Sequence, residues 1–273
     1  MEKVTIKKLR EELQNSRGAE LLNPNRVISI FITYFVVIRT KIAAVQITFF
    51  SLLLAFIGTF LISLKGNFFP LLGVSLFYLY AILDSVDGEV ARYRKTASIY
   101  GAYVDAITHP ITRPLTFIAV SYWLFRFYDN NYWFLILGTY LTYIIHFSQL
   151  LVLEREEKIS KLKREQKEDR VRGYRVIMNR LGFRTNESKF IKFIIWLAAY
   201  IMQEWGAVIL LLISALFDFV LLDVFHVKLL HPFKLYFVIF YTISFSILYF
   251  IDYVLSYKFV MNSERESKKR VLT

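Results

Sequence analysis

The chain has 273 residues, 56% of them hydrophobic and 18% aromatic, more apolar mass than a soluble domain of this size carries, so the expected solvent is lipid. It has no cysteine, which excludes disulfides, thiolate nucleophiles and cysteine zinc sites. Its net charge of +12 suits either nucleic acid or an acidic membrane surface, and the position of the charge decides between them.

Residues 1–26 read as a polar, solvated cytosolic arm, helical in part around Lys7 to Leu13, without the short apolar core and cleavage site of a signal peptide. Residues 27–38 are apolar but shorter than the roughly 20 residues a span needs. Flanked by Arg26, Arg39 and Lys41, they suit a helix lying in the membrane interface. Spans are expected at 42–64, 69–91, 100–126 and 132–153, separated by Lys65-Gly66-Asn67, by the basic turn that starts at Arg92, and by the polar turn Tyr128-Asp129-Asn130-Asn131. Composition then changes, and 154–188 is too charged to span. The apolar stretch 190–225, broken at Gln203-Glu204, divides into an interfacial helix near 190–203 and a fifth span near 205–225. A turn with His231-Pro232 leads to a sixth span at 235–257 and a basic tail.

The expected fold is therefore an all-α integral membrane protein with six transmembrane helices preceded by an interfacial juxtamembrane helix. Its parts are the arm and interfacial helix (1–41), the membrane domain (42–257, with its basic loop 154–188) and the tail (258–273). Placing the N-terminus in the cytosol puts 29 of the 34 Lys and Arg on that side. Lys65, Arg126, Lys228 and Lys234 fall opposite, and Arg113 lies within span three. This positive-inside pattern puts both termini on the cytosolic face and accounts for the basic charge without nucleic acid, for which no motif is present.

Span two ends in Asp84-Ser-Val-Asp87-Gly88-Glu-Val-Ala91-Arg92, and span three opens on Gly101-Ala-Tyr-Val-Asp105-Ala-Ile-Thr-His109. Ionisable groups in a span are costly and usually functional. Asp84 and Asp87 lie three apart, Asp105 and His109 four apart, so each pair shares a helix face. Asp84 sits roughly 12 Å along the axis from Arg92, which sets the cluster just below the cytosolic interface. Carboxylates suit Mg²⁺ and Ca²⁺, and Mn²⁺ accepts imidazole as well. Such a cation would screen phosphate charge and stabilise a leaving oxygen. Gly88, Ala91 and Gly101 let a ligand approach closely, and Arg92 at the mouth can pair with phosphate. The pattern suggests metal-assisted phosphoryl transfer.

The spacing Asp-x2-Asp-Gly-x2-Ala-Arg-x8-Gly-x3-Asp-x3-Asp is the signature of the CDP-alcohol phosphotransferases. This chain resembles it at Asp84, Asp87, Gly88, Ala91, Arg92, Gly101 and Asp105, seven of the eight fixed positions, within a likeness reaching over roughly 25–257. The resemblance implies a six-helix membrane fold, usually homodimeric, whose aspartates hold divalent metal, Mg²⁺ or Mn²⁺. It implies an enzyme that cleaves a CDP-linked donor, transfers a phospho-alcohol or phosphatidyl group to a hydroxyl acceptor and releases CMP, as in phospholipid or polyol-phosphate headgroup synthesis.

His109 stands where the family has its fourth aspartate, generally assigned as the base that deprotonates the acceptor. Imidazole can serve as that base or as a neutral metal ligand, and the same change also fits a member that binds nucleotide without turnover. Arg113, one turn beyond, either contacts phosphate or pairs with a motif aspartate. Residues 44–48 keep only Thr48 of the family's Pro-Asn-x-x-Thr, as a nucleotide-pocket residue or an ordinary helix threonine. Asp218 and Asp252 either extend the site, pair with one another or, as the default, form interhelical hydrogen bonds. The competing class is a transporter, but its ionisable residues would lie midway and a broken-helix repeat would be visible.

Overall fold

The computed structural model describes residues 5–13, 24–144, 204–227, 231–247 and 249–250. Among them every regular element is helical and no strand forms. The chain divides into two compact units, Met1–Thr142 with Glu204–Ile239, and Tyr143–Gln203 with Phe240–Thr273. The motif lies in the first.

Helix α1 (Ile6–Leu13) opens with the Thr5 hydroxyl accepting the Lys8 N–H at 3.3 Å. Leu9 and Leu13, four residues apart, are buried against Ile30 and packed by Ile6, Tyr34 and Tyr93. The arm expected to be solvated is thus docked over this stretch, because its two leucines fall on one face.

Helix α2 (Pro24–Arg39) begins with a proline, whose missing N–H costs nothing at a first helical position. Its amphipathicity is inverted. Asn25, Ser29 and Thr33, spaced by one turn, are buried, while Phe31, Phe35 and Ile38 are exposed. This suits a helix whose outer face meets acyl chains and whose inner face meets polar protein groups.

Helices α3 (Ala44–Ile62) and α4 (Phe68–Tyr93) form the central pair, with α2 and α7 (Glu204–Asp218) against α4 and α5 (Ile99–Phe127) against α3. Two glycines allow the close crossing of α3 and α4. A Cβ on Gly58 would lie 2.7 Å from the Gly73 carbonyl oxygen, and one on Gly73 would lie 2.7 Å from the Ile62 nitrogen. Toward the motif end Ile47, Ile82, Val86 and Val90 form the core, and further along Ala55, Phe77, Tyr80 and Val208 do so.

Helix α5 starts at Ser98, whose hydroxyl accepts the Gly101 N–H at 3.0 Å. It contains Pro110 and Pro114, neither of which can donate to the carbonyl one turn earlier. After the turn at Asp129 and Asn130, both with positive φ, comes α6 (Trp133–Ile144). Helix α7 continues into a π-helical segment, Phe219–Val224. Helix α8 (Phe233–Ile247) crosses into the second unit, where the Ser246 hydroxyl donates to the Thr242 carbonyl at 2.6 Å.

Among the described residues three helices are long and apolar enough to cross a membrane: α3, α4 and Gly206–Val224. They coincide with spans one, two and five as read from sequence. Helix α5 occupies the third expected span with 29 residues and carries the motif's polar side chains. Helices α6 and α8 are described as shorter apolar helices at spans four and six. The interfacial helix near 190–203, the charged loop 154–188, the tail and Asp252 lie outside the described residues.

A second polar network sits at the end of the first unit away from the motif. Lys234 pairs with Asp218 at 2.9 Å, both side chains wholly buried, and donates to Asn67 Oδ1 at 3.1 Å. Asn67 donates to Asp223 at 2.9 Å, and the backbone N–H of Phe233 donates to Asp218 at 2.6 Å. The Lys234 ammonium also lies 4.0 Å from the centroid of Trp123. Sequence places Lys234 at the end of the turn over 226–234; its burial is stabilised by the Asp218 carboxylate that it reaches from the neighbouring helix.

Candidate functional site

The last three turns of α4 and the first three of α5 bring the motif together. His109 Nε2 lies 3.4 Å from Asp105 Oδ1 and 3.6 Å from Asp84 Oδ1. One ligand atom from each of Asp84, Asp105 and His109 falls within 4.8 Å of the others. Side-chain exposure is 12% for Asp84, 20% for His109 and 49% for Asp105, so the group opens on one side.

Asp87 belongs to a different surface. Its Oδ2 accepts the Thr48 hydroxyl of α3 at 2.6 Å, and the residue is buried. Both residues line a cavity of about 180 Å³ beside the cluster. The α4 wall is completed by Gly88, Ala91 and Arg92, and the α5 wall is Gly101 and Asp105. Asp105 therefore borders both cavity and cluster. The connecting turn closes the rim through the Thr96 N–H, which donates to the Ala91 carbonyl at 2.9 Å, with Lys95 at φ 56°.

The small residues have separate reasons. A Cβ at Gly88 would stand 3.1 Å from Arg92 Nη1, so glycine makes room for the guanidinium one turn on to lie back against the helix. A Cβ at Gly101 would meet Ser98 Oγ and Val45 only at 3.4 and 4.0 Å, ordinary contact distances. Packing does not demand glycine there, and its small size widens the cavity instead.

Of the residues expected from sequence, Thr48, Asp87, Gly88, Ala91, Arg92, Gly101 and Asp105 line one cavity, and Asp84 and His109 sit beside it. The Arg113 side chain lies outside the described part. Two supporting residues escape the sequence reading. Glu89 is buried and accepts the Ser29 hydroxyl at 2.9 Å and the Thr33 hydroxyl at 2.6 Å, which ties α2 to the motif helix. Arg94 donates to the carbonyls of Thr40 (2.8 Å) and Ile42, holding the start of α3 against the end of α4. The available signal for Glu89 was an acid inside an apolar helix, which requires partners, with Ser29 and Thr33 one turn apart on the preceding helix.

The family model for CDP-alcohol phosphatidyltransferase matches residues 41–179. The chain belongs to that family. The match includes the whole motif and cavity, and together with the apolar helices it marks a membrane protein. A search of curated proteins gives no match.

Members of the CDP-alcohol phosphatidyltransferase family work with divalent metal, and the donor set here can be tested for fit. Adjacent oxygen or nitrogen ligands of a small dication lie about 3 Å apart. The pairs at 3.4 and 3.6 Å, and the three donors within 4.8 Å of one another, would draw together around an ion, and two carboxylates with an imidazole are donors that a dication accepts.

Proposed function

We propose that this CDP-alcohol phosphatidyltransferase family member is a transferase that moves a phospho-alcohol or phosphatidyl group from a CDP-linked donor to a hydroxyl acceptor. The observation that carries this is the convergence of Asp84, Asp105 and His109 beside a cavity that Asp87, Arg92 and Thr48 line. In this reading the cavity takes the cytidine diphosphate half, with Arg92 at its mouth countering phosphate charge. Ala91 and Gly101 keep the walls low enough for the pyrophosphate to approach the helix backbone, and Gly88 leaves room for the Arg92 guanidinium.

Asp84, Asp105 and His109 would hold a divalent cation, Mg²⁺ or Mn²⁺, with Asp87 on the adjoining cavity wall as a further carboxylate. When bound, the ion screens the pyrophosphate and stabilises the leaving phosphate oxygen. The acceptor oxygen attacks the phosphorus that carries the donor alcohol, a new P–O bond forms, the bond to CMP breaks, and CMP leaves. With His109 Nε2 turned to the two carboxylates, Asp105, half exposed at the border of cavity and cluster, takes the hydroxyl proton. A second reading gives that proton to His109, whose 20% exposure leaves the ring partly accessible. His109→Gln separates the two: metal affinity falls if the ring is a ligand, and turnover alone falls if it is the base.

Two donor classes fit, CDP-diacylglycerol with a soluble alcohol and a soluble CDP-alcohol with a lipid or soluble acceptor. The reading includes six spans, a homodimer, and a site and both termini on the cytosolic side of the bilayer, the arrangement that the charge distribution supports. The test is CMP release by purified protein with divalent metal and a panel of CDP-linked donors and acceptors. Release that depends on Asp105 supports the transferase. Binding of CDP without release from any pair favours a member that binds without turnover, and ion or solute flux in liposomes without product favours a transporter.

A further inference from the structure

We infer that the Asp84, Asp105 and His109 donor set favours transition-metal dications over Mg²⁺, with Mn²⁺ as the member of that class that probes it. The inference rests on the proposal that these three residues hold the metal. Its basis is which atoms converge: the ring nitrogen Nε2 itself, rather than a ring edge, faces Asp84 Oδ1 and Asp105 Oδ1.

Mg²⁺ is held by charge and by oxygen, keeps several of its waters, and gains little from a neutral nitrogen. A histidine in place of a fourth aspartate removes one negative charge from the site. That weakens attraction for any dication, but a transition metal recovers part of the loss through its bond to imidazole. Asp87, whose Oδ2 accepts the Thr48 hydroxyl at 2.6 Å, is the same oxygen donor whichever residue stands at 109, so the difference in selectivity rests on that position. The three donors come from two helices, α4 and α5, and the α4 end is braced by Glu89 to α2 and by Arg94 to the start of α3. A competing arrangement has the same atoms: a protonated His109 could serve as the counter-ion of both aspartates, leaving no metal site.

The test uses the full-length protein in detergent, without nucleotide. Mn²⁺ binding is followed by electron paramagnetic resonance, and Mg²⁺ affinity by competition against bound Mn²⁺. The Mg²⁺ to Mn²⁺ dissociation-constant ratio should be severalfold higher in the natural protein than in His109→Asp. Pulsed spectra of bound Mn²⁺ should contain a ¹⁴N coupling that His109→Asp abolishes. Melting temperatures and size-exclusion profiles of the two proteins serve as the check that both are folded. An unchanged ratio, a missing ¹⁴N coupling, or no metal binding in the natural protein overturns the inference. CMP release is measured separately. Metal selectivity without CMP release overturns the transferase reading alone, and CMP release supported equally by both ions without a ¹⁴N signal overturns the selectivity alone.

Discussion

Ionisable groups gather near both ends of helix α4, and the two sites are built in opposite ways. Before its first turn Asn67 joins Lys234, Asp218 and Asp223 in a network whose ion pair has 0% exposure on both sides. Near its last turns Asp84 meets His109 and Asp105, which keep 20% and 49% of their side-chain surface open beside a cavity. In the first site the partners come from α7, the segment after it and α8 and enclose one another, so the groups hold helices together. In the second, donor atoms point to a common space that another species can share. A titratable cluster in an apolar bundle therefore says little until its openness is known.

The largest effect is expected at the enclosed end. Lys234→Met should cost about 3–5 kcal/mol of unfolding free energy, since it leaves the Asp218 carboxylate buried without its counter-charge. Denaturant unfolding in detergent measures this, and Lys234→Met with Asp218→Leu should recover most of the loss. If Lys234→Met instead lowered metal affinity in the folded protein, the two ends would not be separate. At the open end Asp105→Ala should lower CMP release by about 10²–10³-fold, the range for removing one group that stabilises transition-state charge. Its unfolding curve should coincide with that of the natural protein.

Between these lies Thr48→Val, which removes the hydroxyl that fixes Asp87. A loss of about 10–100-fold in metal affinity or turnover is expected, as for groups that orient a ligand. Measuring affinity and rate constants separately shows whether Thr48 acts through Asp87 or on the nucleotide. The smallest effect belongs to Ser29→Ala, about 1 kcal/mol in unfolding, because Thr33 still holds the other oxygen of Glu89.

Helix positions were largely legible in the sequence. The spans read as 42–64, 69–91 and 100–126 became Ala44–Ile62, Phe68–Tyr93 and Ile99–Phe127, since sharp changes of hydropathy and turns such as Gly66 and Ser98 mark their ends. The motif residues were legible because their i+3 and i+4 spacing is local to two helices. Partners far apart in sequence were not. Thr48 meets Asp87 across 39 residues, Lys234 meets Asn67 across 167, and the docking of Leu9 and Leu13 depends on where α2 lies. The division of the acids, Asp84 and Asp105 toward His109 and Asp87 toward Thr48, is likewise a property of the packed helices.

The central claim is that chemistry belongs to the open end and not to the enclosed one. ³¹P NMR of a CDP-linked donor mixed with acceptor, divalent metal and each of three proteins tests it most directly. The account predicts that the natural protein and folded Lys234→Met convert the donor pyrophosphate signals into one CMP and one phosphodiester signal in equal amounts, while Asp105→Ala leaves them unchanged. Equal conversion by Asp105→Ala, or unchanged donor signals with the natural protein across the whole donor and acceptor panel, would contradict it.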